Sequence, residues 1–150
     1  MNRERGLTLV ELLIVIGIVF IMLSIAVPKI LRALSSADTA SAEQSLRLIA
    51  TSEQFYQMKH GTYCPLDLLV SEGLIDSRIA AGSRHGYRFR LRIVEQGGGF
   101  VCEATPERRE KATDHLFVDQ TMIVRFNPGA PASAESLSID RRAGGQGGRN

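Results

Sequence analysis

The sequence predicts an α+β fold: one long N-terminal helix followed by a small antiparallel sheet of about four strands. Two observations support this class. A helical pattern, first apolar and then amphipathic, runs through residues 7–60, and short segments with strict two-residue alternation follow it. The chain has 150 residues, 44% of them hydrophobic and 23% charged, which suits one modest globular domain and leaves no room for a second catalytic one.

The N-terminal part of the helix is long and apolar enough to cross a bilayer. Residues 12–27 carry no charge, and residues 7–10 extend the apolar run to about 20 residues, the length that a membrane-spanning helix needs. Arg3 and Arg5 precede the run. The positive-inside tendency favours these arginines in the cytoplasm, so the rest of the chain is expected on the other side of the membrane.

Glu11 distinguishes among the possible roles of this segment. An ionised carboxylate inside an apolar membrane helix costs about 2.5–3.5 kcal/mol on insertion scales, so a secretory signal or a plain anchor would normally avoid one. If the chain is cut after Gly6, Leu7 supplies a positive α-amino group one helical turn before Glu11. Pairing of the carboxylate with this amine, or with the amine of a neighbouring copy, would explain the acidic residue.

A family resemblance rests on residues 5–15, which read RGLTLVELLIV and closely resemble the class III leader of type IV prepilins and pseudopilins. In that family a short basic leader ends in Gly, and Glu is the fifth mature residue. The resemblance implies that a prepilin peptidase cuts between Gly6 and Leu7 and methylates the Leu7 amine, and that Glu11 acts in filament assembly. It also implies helix-loosening positions at Gly17 and Pro28.

Two other interpretations of the apolar segment stay open. Small residues stand immediately before Val27, as a general signal peptidase requires, although Pro28 follows that bond. A plain membrane anchor is the second alternative. Neither interpretation accounts for Gly6 and Glu11 together.

The helical pattern continues beyond Pro28 as an amphipathic segment. Apolar residues recur mostly at three- and four-residue spacing as far as Tyr56, and Gly61 offers a C-terminal stop, so a helix of about 80 Å is expected from Leu7 to His60. The expected organisation is a leader at 1–6, a membrane or filament-core half-helix at 7–28, an amphipathic half-helix at 29–60, a connector and sheet at 61–126, and a flexible tail at 127–150.

Short strands are expected after the connector, which carries a short amphipathic helix ending at Gly73. Residues 87–93 alternate strictly, with apolar residues on one face and Arg88, Arg90 and Arg92 on the other. The sheet is expected to cover the C-terminal half of the long helix. Its further strands are expected at 100–105, 116–119 and 122–126, with a turn at Gln120 and Thr121.

The two cysteines, Cys64 in the connector and Cys102 in the second expected strand, suit one disulfide if this part of the chain lies outside the cytoplasm. The bridge would close a loop of about 38 residues and contribute about 4 kcal/mol by chain-entropy arithmetic. Two separate reduced thiols are the alternative. Pilins often carry a disulfide nearer the C-terminus, so this spacing departs from the family pattern.

No catalytic, metal or cofactor site is visible in the sequence. The three histidines are far apart and have no metal-ligand spacing with either cysteine, and there is no phosphate loop or nucleophile elbow. The net charge is only +2, so a solvated face is favoured over a nucleic-acid or anionic-surface site for the arginines of residues 87–93. We therefore expect no enzyme activity, no cofactor and no nucleic-acid partner.

The resemblance and the residues together predict a structural subunit, a pilin or pseudopilin, of a type IV pilus-like or type II secretion filament. Its expected partners are the prepilin peptidase, copies of itself and other pilin-like subunits, an inner-membrane assembly platform, and membrane lipid before assembly. It is expected to cross the inner membrane once, with a periplasmic globular domain, and then to enter a cell-surface or periplasmic filament. The alternative is a membrane-tethered periplasmic binding module that does not polymerise.

Overall fold

The fold is α+β, as the sequence predicts. A computed structural model of the chain describes residues 8–81, 83–107 and 114–141. The chain divides into two compact units, Met1–Ser35 and Ser36–Asn150. The first and longest helix, α1 at Leu9–His60, has residues in both units.

The first unit consists, in its described part, of the N-terminal portion of α1. None of the side chains at residues 8–34 is buried, and the exposed fraction reaches 79% at Leu9. By length and composition, α1 is able to cross a membrane. Water is a poor solvent for such a continuous apolar surface, so this helix needs lipid or other apolar helices around it.

The ends of α1 follow from local chemistry. The backbone N–H of Glu11 donates to Oγ1 of Thr8 at 3.2 Å, which gives an orphan amide of the first turn a partner. Gly61 stops the helix with a φ of 78°, a conformation that glycine adopts without steric penalty, and its N–H donates to the carbonyl of Gln57 at 2.7 Å. Pro28 lies inside α1, where it has no N–H to offer the preceding turn.

The second unit adds two short helices and a sheet to the C-terminal part of α1. The helices are α2 at Leu66–Ser71 and α3 at Ser77–Ala80. All neighbouring strands pair antiparallel, and their order in the sheet is their order in the chain. The strands are β1 at Ser83–Arg84, β2 at Tyr87–Val94, β3 at Gly99–Pro106, β4 at Asp114–Asp119, β5 at Arg125–Pro128 and β6 at Leu137–Ser138.

The described part of the sheet has six strands, so the prediction of about four is wrong in number. The additional strands, β1 and β6, are the two edges of the sheet and have two residues each, too few to produce an alternating pattern. The fourth expected strand also begins later than residue 122. Met122 has a φ of 64° and its N–H donates to the carbonyl of Asp119 at 3.0 Å, so it belongs to the turn before β5.

Part of the segment from residue 127 onward, expected to be a flexible tail, forms secondary structure; its flexibility stays a prediction. The end of β5 and all of β6 lie there, and the N–H of Ile139 donates to the carbonyl of Val124 at 3.0 Å. Proline, alanine and serine are frequent in this stretch, and this composition conceals a two-residue strand. The glycine-rich residues 142–150 lie outside the described part of the chain.

One continuous core holds the second unit together. Side chains of α1 such as Leu46 and Ile49 pack against inward-facing residues of the central strands, including Phe100 of β3 and Val118 of β4. Tyr87 adds a polar tie: its hydroxyl lies 2.9 Å from Oγ1 of Thr39 on α1 and donates to the carbonyl of Asp114 at 2.9 Å. The C-terminal part of α1 therefore forms one wall of the globular core.

Two neighbouring residues of α1 provide a matched test of this packing. Ile49 is 0% exposed and Leu48 is 43% exposed. We expect Ile49→Ala to lower the free energy of unfolding by about 2–5 kcal/mol, because it leaves a cavity in the core. We expect Leu48→Ala to lower it by about 1 kcal/mol or less. Urea titration of the full chain in detergent micelles, followed by circular dichroism, measures both; equal losses would contradict this assignment of the buried face.

Candidate functional site

The N-terminal candidate site is described only from Thr8 onward. Gly6 and Leu7, the expected cleavage and methylation positions, lie outside the described residues. Glu11 lies in the first turn of α1, where the positive end of the helix dipole favours an acidic group. It is exposed, together with the apolar side chains that follow it. Its assembly role stays a prediction.

The two expected helix-loosening positions both lie within α1. A methyl group added at Gly17 would meet no heavy atom within 4 Å, so the described chain imposes no steric requirement for glycine there. A glycine inside a helix costs about 1 kcal/mol relative to alanine. Pro28 likewise removes one helical hydrogen bond. The structure has a continuous helix through both positions, and the loosening that the resemblance implies stays a prediction.

The arginine stripe on β2 faces outward, as expected, and two of its members are paired. Nη2 of Arg88 lies 3.5 Å from Oε1 of Glu107, and Nη2 of Arg92 contacts Oε1 of Glu103. These carboxylates neutralise much of the charge that an anionic partner would need. The pairing is typical of a solvated strand face.

A buried polar cluster joins α1, the connector and β3 around Glu53. This residue is 0% exposed, and its Oε2 accepts the backbone N–H of Cys64 at 3.0 Å. Its other oxygen, Oε1, has no hydrogen-bond partner. Cys64 and Cys102 are also buried, and both thiols are unbridged in the structure. The expected disulfide between them stays a prediction.

Burial controls the ionisation of this cluster. Loss of hydration raises the pKa of Glu53 from its ordinary 4.5 to about 7, although the N–H of Cys64 acts in the opposite direction. Burial, followed by the nearby Glu53 carboxylate, raises the pKa of the Cys64 thiol to about 12. The same two causes raise the pKa of the Cys102 thiol. Both thiols are therefore protonated and unreactive while they stay buried.

Sequence reasoning missed Glu53 because a glutamate in an amphipathic helix is ordinarily assigned to the solvated face. The available signal was its position, since it follows Leu46 by seven residues and Ile49 by four, which places it on the apolar stripe. In the described ranges, no group of three or more His, Cys, Asp or Glu side chains could hold a metal ion.

Comparison with known proteins agrees with the N-terminal features. The family described as the prokaryotic N-terminal methylation motif matches residues 1–27. The type IV major pilin protein PilA of Myxococcus xanthus is 30% identical over 86 residues, which cover 57% of this chain and only 37% of that protein. The type IV wide pilus major component PilA4 of Thermus thermophilus is 29% identical over 116 residues, 72% of this chain and 86% of that protein. No solved structure matches the chain significantly.

The chain thus combines a match to the methylation motif, a membrane-length apolar helix and the antiparallel sheet of the second unit. The curated relatives that the chain matches are major pilins.

The raised pKa of Glu53 predicts that the stability of the fold depends on pH. Because the folded chain binds the proton more tightly than the unfolded chain does, wild-type stability falls as pH rises from 4.5 through 7 and then levels off. The neutral isostere Glu53→Gln lacks this dependence. We expect the difference in unfolding free energy between the two proteins to change by about 3 kcal/mol between pH 4.5 and 8, in favour of the variant at high pH. Urea titrations at both pH values measure it; a difference that does not change with pH would contradict the assignment.

Proposed function

We propose that the chain is a structural subunit, a pilin or pseudopilin, of a type IV pilus-like or type II secretion filament. The observation that carries the proposal is the methylation motif at residues 1–27, within which an exposed apolar helix begins. In this proposal the apolar helix is stored in the membrane and becomes part of the filament core. Burial among other apolar helices removes the same surface from water that lipid removes before assembly.

The N-terminus is the chemical centre of this function. A prepilin peptidase cuts between Gly6 and Leu7 and methylates the new amine of Leu7. Glu11 then pairs with the positive amine of a neighbouring subunit, which compensates for placing a carboxylate in an apolar bundle. The pair works as a register mark, because an incoming helix at any other depth leaves both charges unmatched in a medium of low dielectric constant.

The proposed topology follows from the charges around the apolar segment. Arg3 and Arg5 keep the N-terminus in the cytoplasm, and the second unit lies in the periplasm before assembly. The partners are the prepilin peptidase, copies of this chain and other pilin-like subunits, an inner-membrane assembly platform, and membrane lipid. The proposed role is structural and involves no catalysis by this chain.

A membrane-tethered binding module is the second candidate, and one feature of the second unit favours it. A cleft of about 530 Å³ is open beside α1. Its lining includes Gln44 and Leu48 of α1 together with Arg84 and His85 at the first hairpin. A module of this kind would bind its ligand without forming fibres, so shearing cells and examining the released material separates the two candidates.

Replacing Glu11 tests the proposed assembly contact. We expect Glu11→Ala to be cut at Gly6 and to stay in the membrane, but to yield at least about tenfold fewer sheared filaments, because the amine of the neighbouring subunit loses its partner. Mass spectrometry of the membrane-bound protein and quantification of the sheared fraction provide the measurements.

Ser24→Ala is the matched control, because it also changes a polar residue of the apolar segment and is expected to leave filament yield unchanged. Normal filaments from Glu11→Ala would contradict the role of the carboxylate. A mature protein that begins at Val27 or retains residues 1–6 would contradict the proposed processing.

We further propose that Cys64 and Cys102 form a disulfide in the mature protein outside the cytoplasm. The connector carrying Cys64 lies against β3, which carries Cys102: the rings of Tyr63 and Phe100 are 5.1 Å apart, and the N–H of Tyr63 donates to the carbonyl of Gly97 at 3.3 Å. A bridge here would fasten the connector to the centre of the sheet.

The disulfide is tested by counting thiols in the denatured mature protein. We expect no free thiol without reductant and two after reduction. We also expect Cys64→Ser to lower the free energy of unfolding of the oxidised protein by about 4 kcal/mol, because the unfolded chain loses its cross-link. Two thiols in both conditions would establish the reduced alternative.

A further inference from the structure

The free-energy cost of burying the carboxyl group of Glu53 depends on whether the group is protonated. It is fully buried, Oε2 accepts one amide hydrogen bond from Cys64, and Oε1 accepts none. A buried charge without compensating donors is strongly disfavoured, whereas a neutral acid at the same position is tolerated. Ionisation of Glu53 therefore destabilises the closed contact with the connector.

The one described hydrogen bond to the Glu53 carboxyl group is donated by the N–H of Cys64, and it compensates for only part of the cost of burial. The Glu53 carboxylate acts on the thiols of Cys64 and Cys102, whose pKa values it raises. Several charged groups of the packed elements are exposed or paired elsewhere. Asp67 and Glu72 near α2 are exposed, and Glu72 pairs with Lys59. On the sheet, Arg88, Arg90 and Arg92 of β2 are exposed, Glu103 of β3 pairs with Arg92, and Asp119 of β4 accepts from Thr121.

The two thiols sit on elements of different stability. Cys102 lies in β3, which pairs with β2 on one side and β4 on the other, so uncovering it requires disruption of the sheet. Cys64 lies in the connector, just before α2, where the Glu53 contact and the bonds of Tyr63 and Thr62 to Gly97 hold the chain. Segments with few backbone bonds open at lower free energy than core strands do.

We propose that Glu53 is a proton-operated gate over the Cys64 thiol, which makes Cys64 a site of thiol–disulfide exchange whose accessibility is set by pH. While Glu53 holds its proton, the connector stays closed and the thiol is covered. When Glu53 ionises, its carboxylate gains hydration by opening the contact, and Cys64 becomes accessible. The gate is a property of the second unit and does not depend on filament assembly.

The co-reactant belongs to the class of disulfide oxidants. The uncovered Cys64 thiol loses its proton to solvent, and its sulfur attacks one sulfur of the oxidant. The oxidant's S–S bond breaks, a mixed disulfide forms, and the leaving thiolate takes up a proton. If Cys102 then attacks the Cys64 sulfur, the second half of the oxidant leaves as a thiol. Two thiols are oxidised and one disulfide is reduced; this second step rests on the bridge proposed above.

The gate is tested by alkylation of the reduced full chain in detergent micelles with N-ethylmaleimide, and peptide mass mapping separates Cys64 from Cys102. Rates are measured from pH 5 to 8 for the wild type, Glu53→Gln and Glu43→Gln. The ratio of wild-type to Glu53→Gln rates cancels the ordinary rise in thiolate with pH. We expect this ratio for Cys64 to increase on the order of 50-fold over the range, while Cys102 reacts much more slowly.

Glu43→Gln is the matched control, because it removes an exposed carboxylate from the same helix, and it should keep the wild-type profile. A ratio that does not change with pH would overturn the gate, and so would equal rates at Cys64 and Cys102, since these indicate global unfolding. If Glu53→Gln does not fold, hydrogen exchange of the Cys64 amide in the wild type tests the gate instead. The protection factor of this amide should fall between pH 5 and 8 and should stay below that of the Ala104 amide. A protection factor that does not change with pH would overturn the proposal.

Discussion

The exposed apolar surface of the first part of α1 is the constraint on which the rest depends. From residue 8 to residue 34 no side chain is buried, and the segment is apolar enough to span a membrane. Such a surface is stable only where water is excluded. Lipid and a bundle of like helices both meet this requirement, which is why one segment can serve first as an anchor and later as a structural core. In the proposed assembly, Glu11, the single acid in this segment, would make the second environment selective, because an apolar bundle accepts a carboxylate only beside a positive group.

The same helix meets a different requirement beyond residue 35. Its apolar residues there narrow to a stripe that packs on the sheet, and small residues such as Ala42 and Ala50 allow close packing. Glu53 breaks the apolar stripe at the point where the connector crosses it. A hydrophobic residue at this position would fill the space but would leave the N–H of Cys64 without its acceptor. The buried carboxyl group of Glu53 therefore lowers the stability of the core, but its hydrogen bond to Cys64 fixes the position of the connector that follows α1.

Patterns that extend over several residues were predictable from sequence, and isolated features were not. The seven alternating residues of β2 predict a strand with three outward arginines, and the structure agrees. β1 and β6 have two residues each, and they form because longer neighbouring strands offer them hydrogen bonds. A local sequence pattern does not show which strand will lie beside such a short segment. Burial of Glu53 has the same origin: its face is visible in the helical spacing, but the enclosure of its carboxyl depends on β3, distant in sequence. The methylation motif was recognisable because proteolytic processing reads a short linear segment.

The strictly sequential order of the sheet affects how the chain reaches its fold. From β2 onward, each strand pairs with the strand that precedes it in the chain. Each pairing therefore closes a short loop, which costs little conformational entropy. Pairing between strands that are neighbours in the chain lowers the contact order of the sheet, and low contact order is associated with rapid folding. The two edges present only two residues each, which offers little template for another chain to extend the sheet. A protein with so much exposed apolar helix thus limits the time and the area through which its second unit could aggregate.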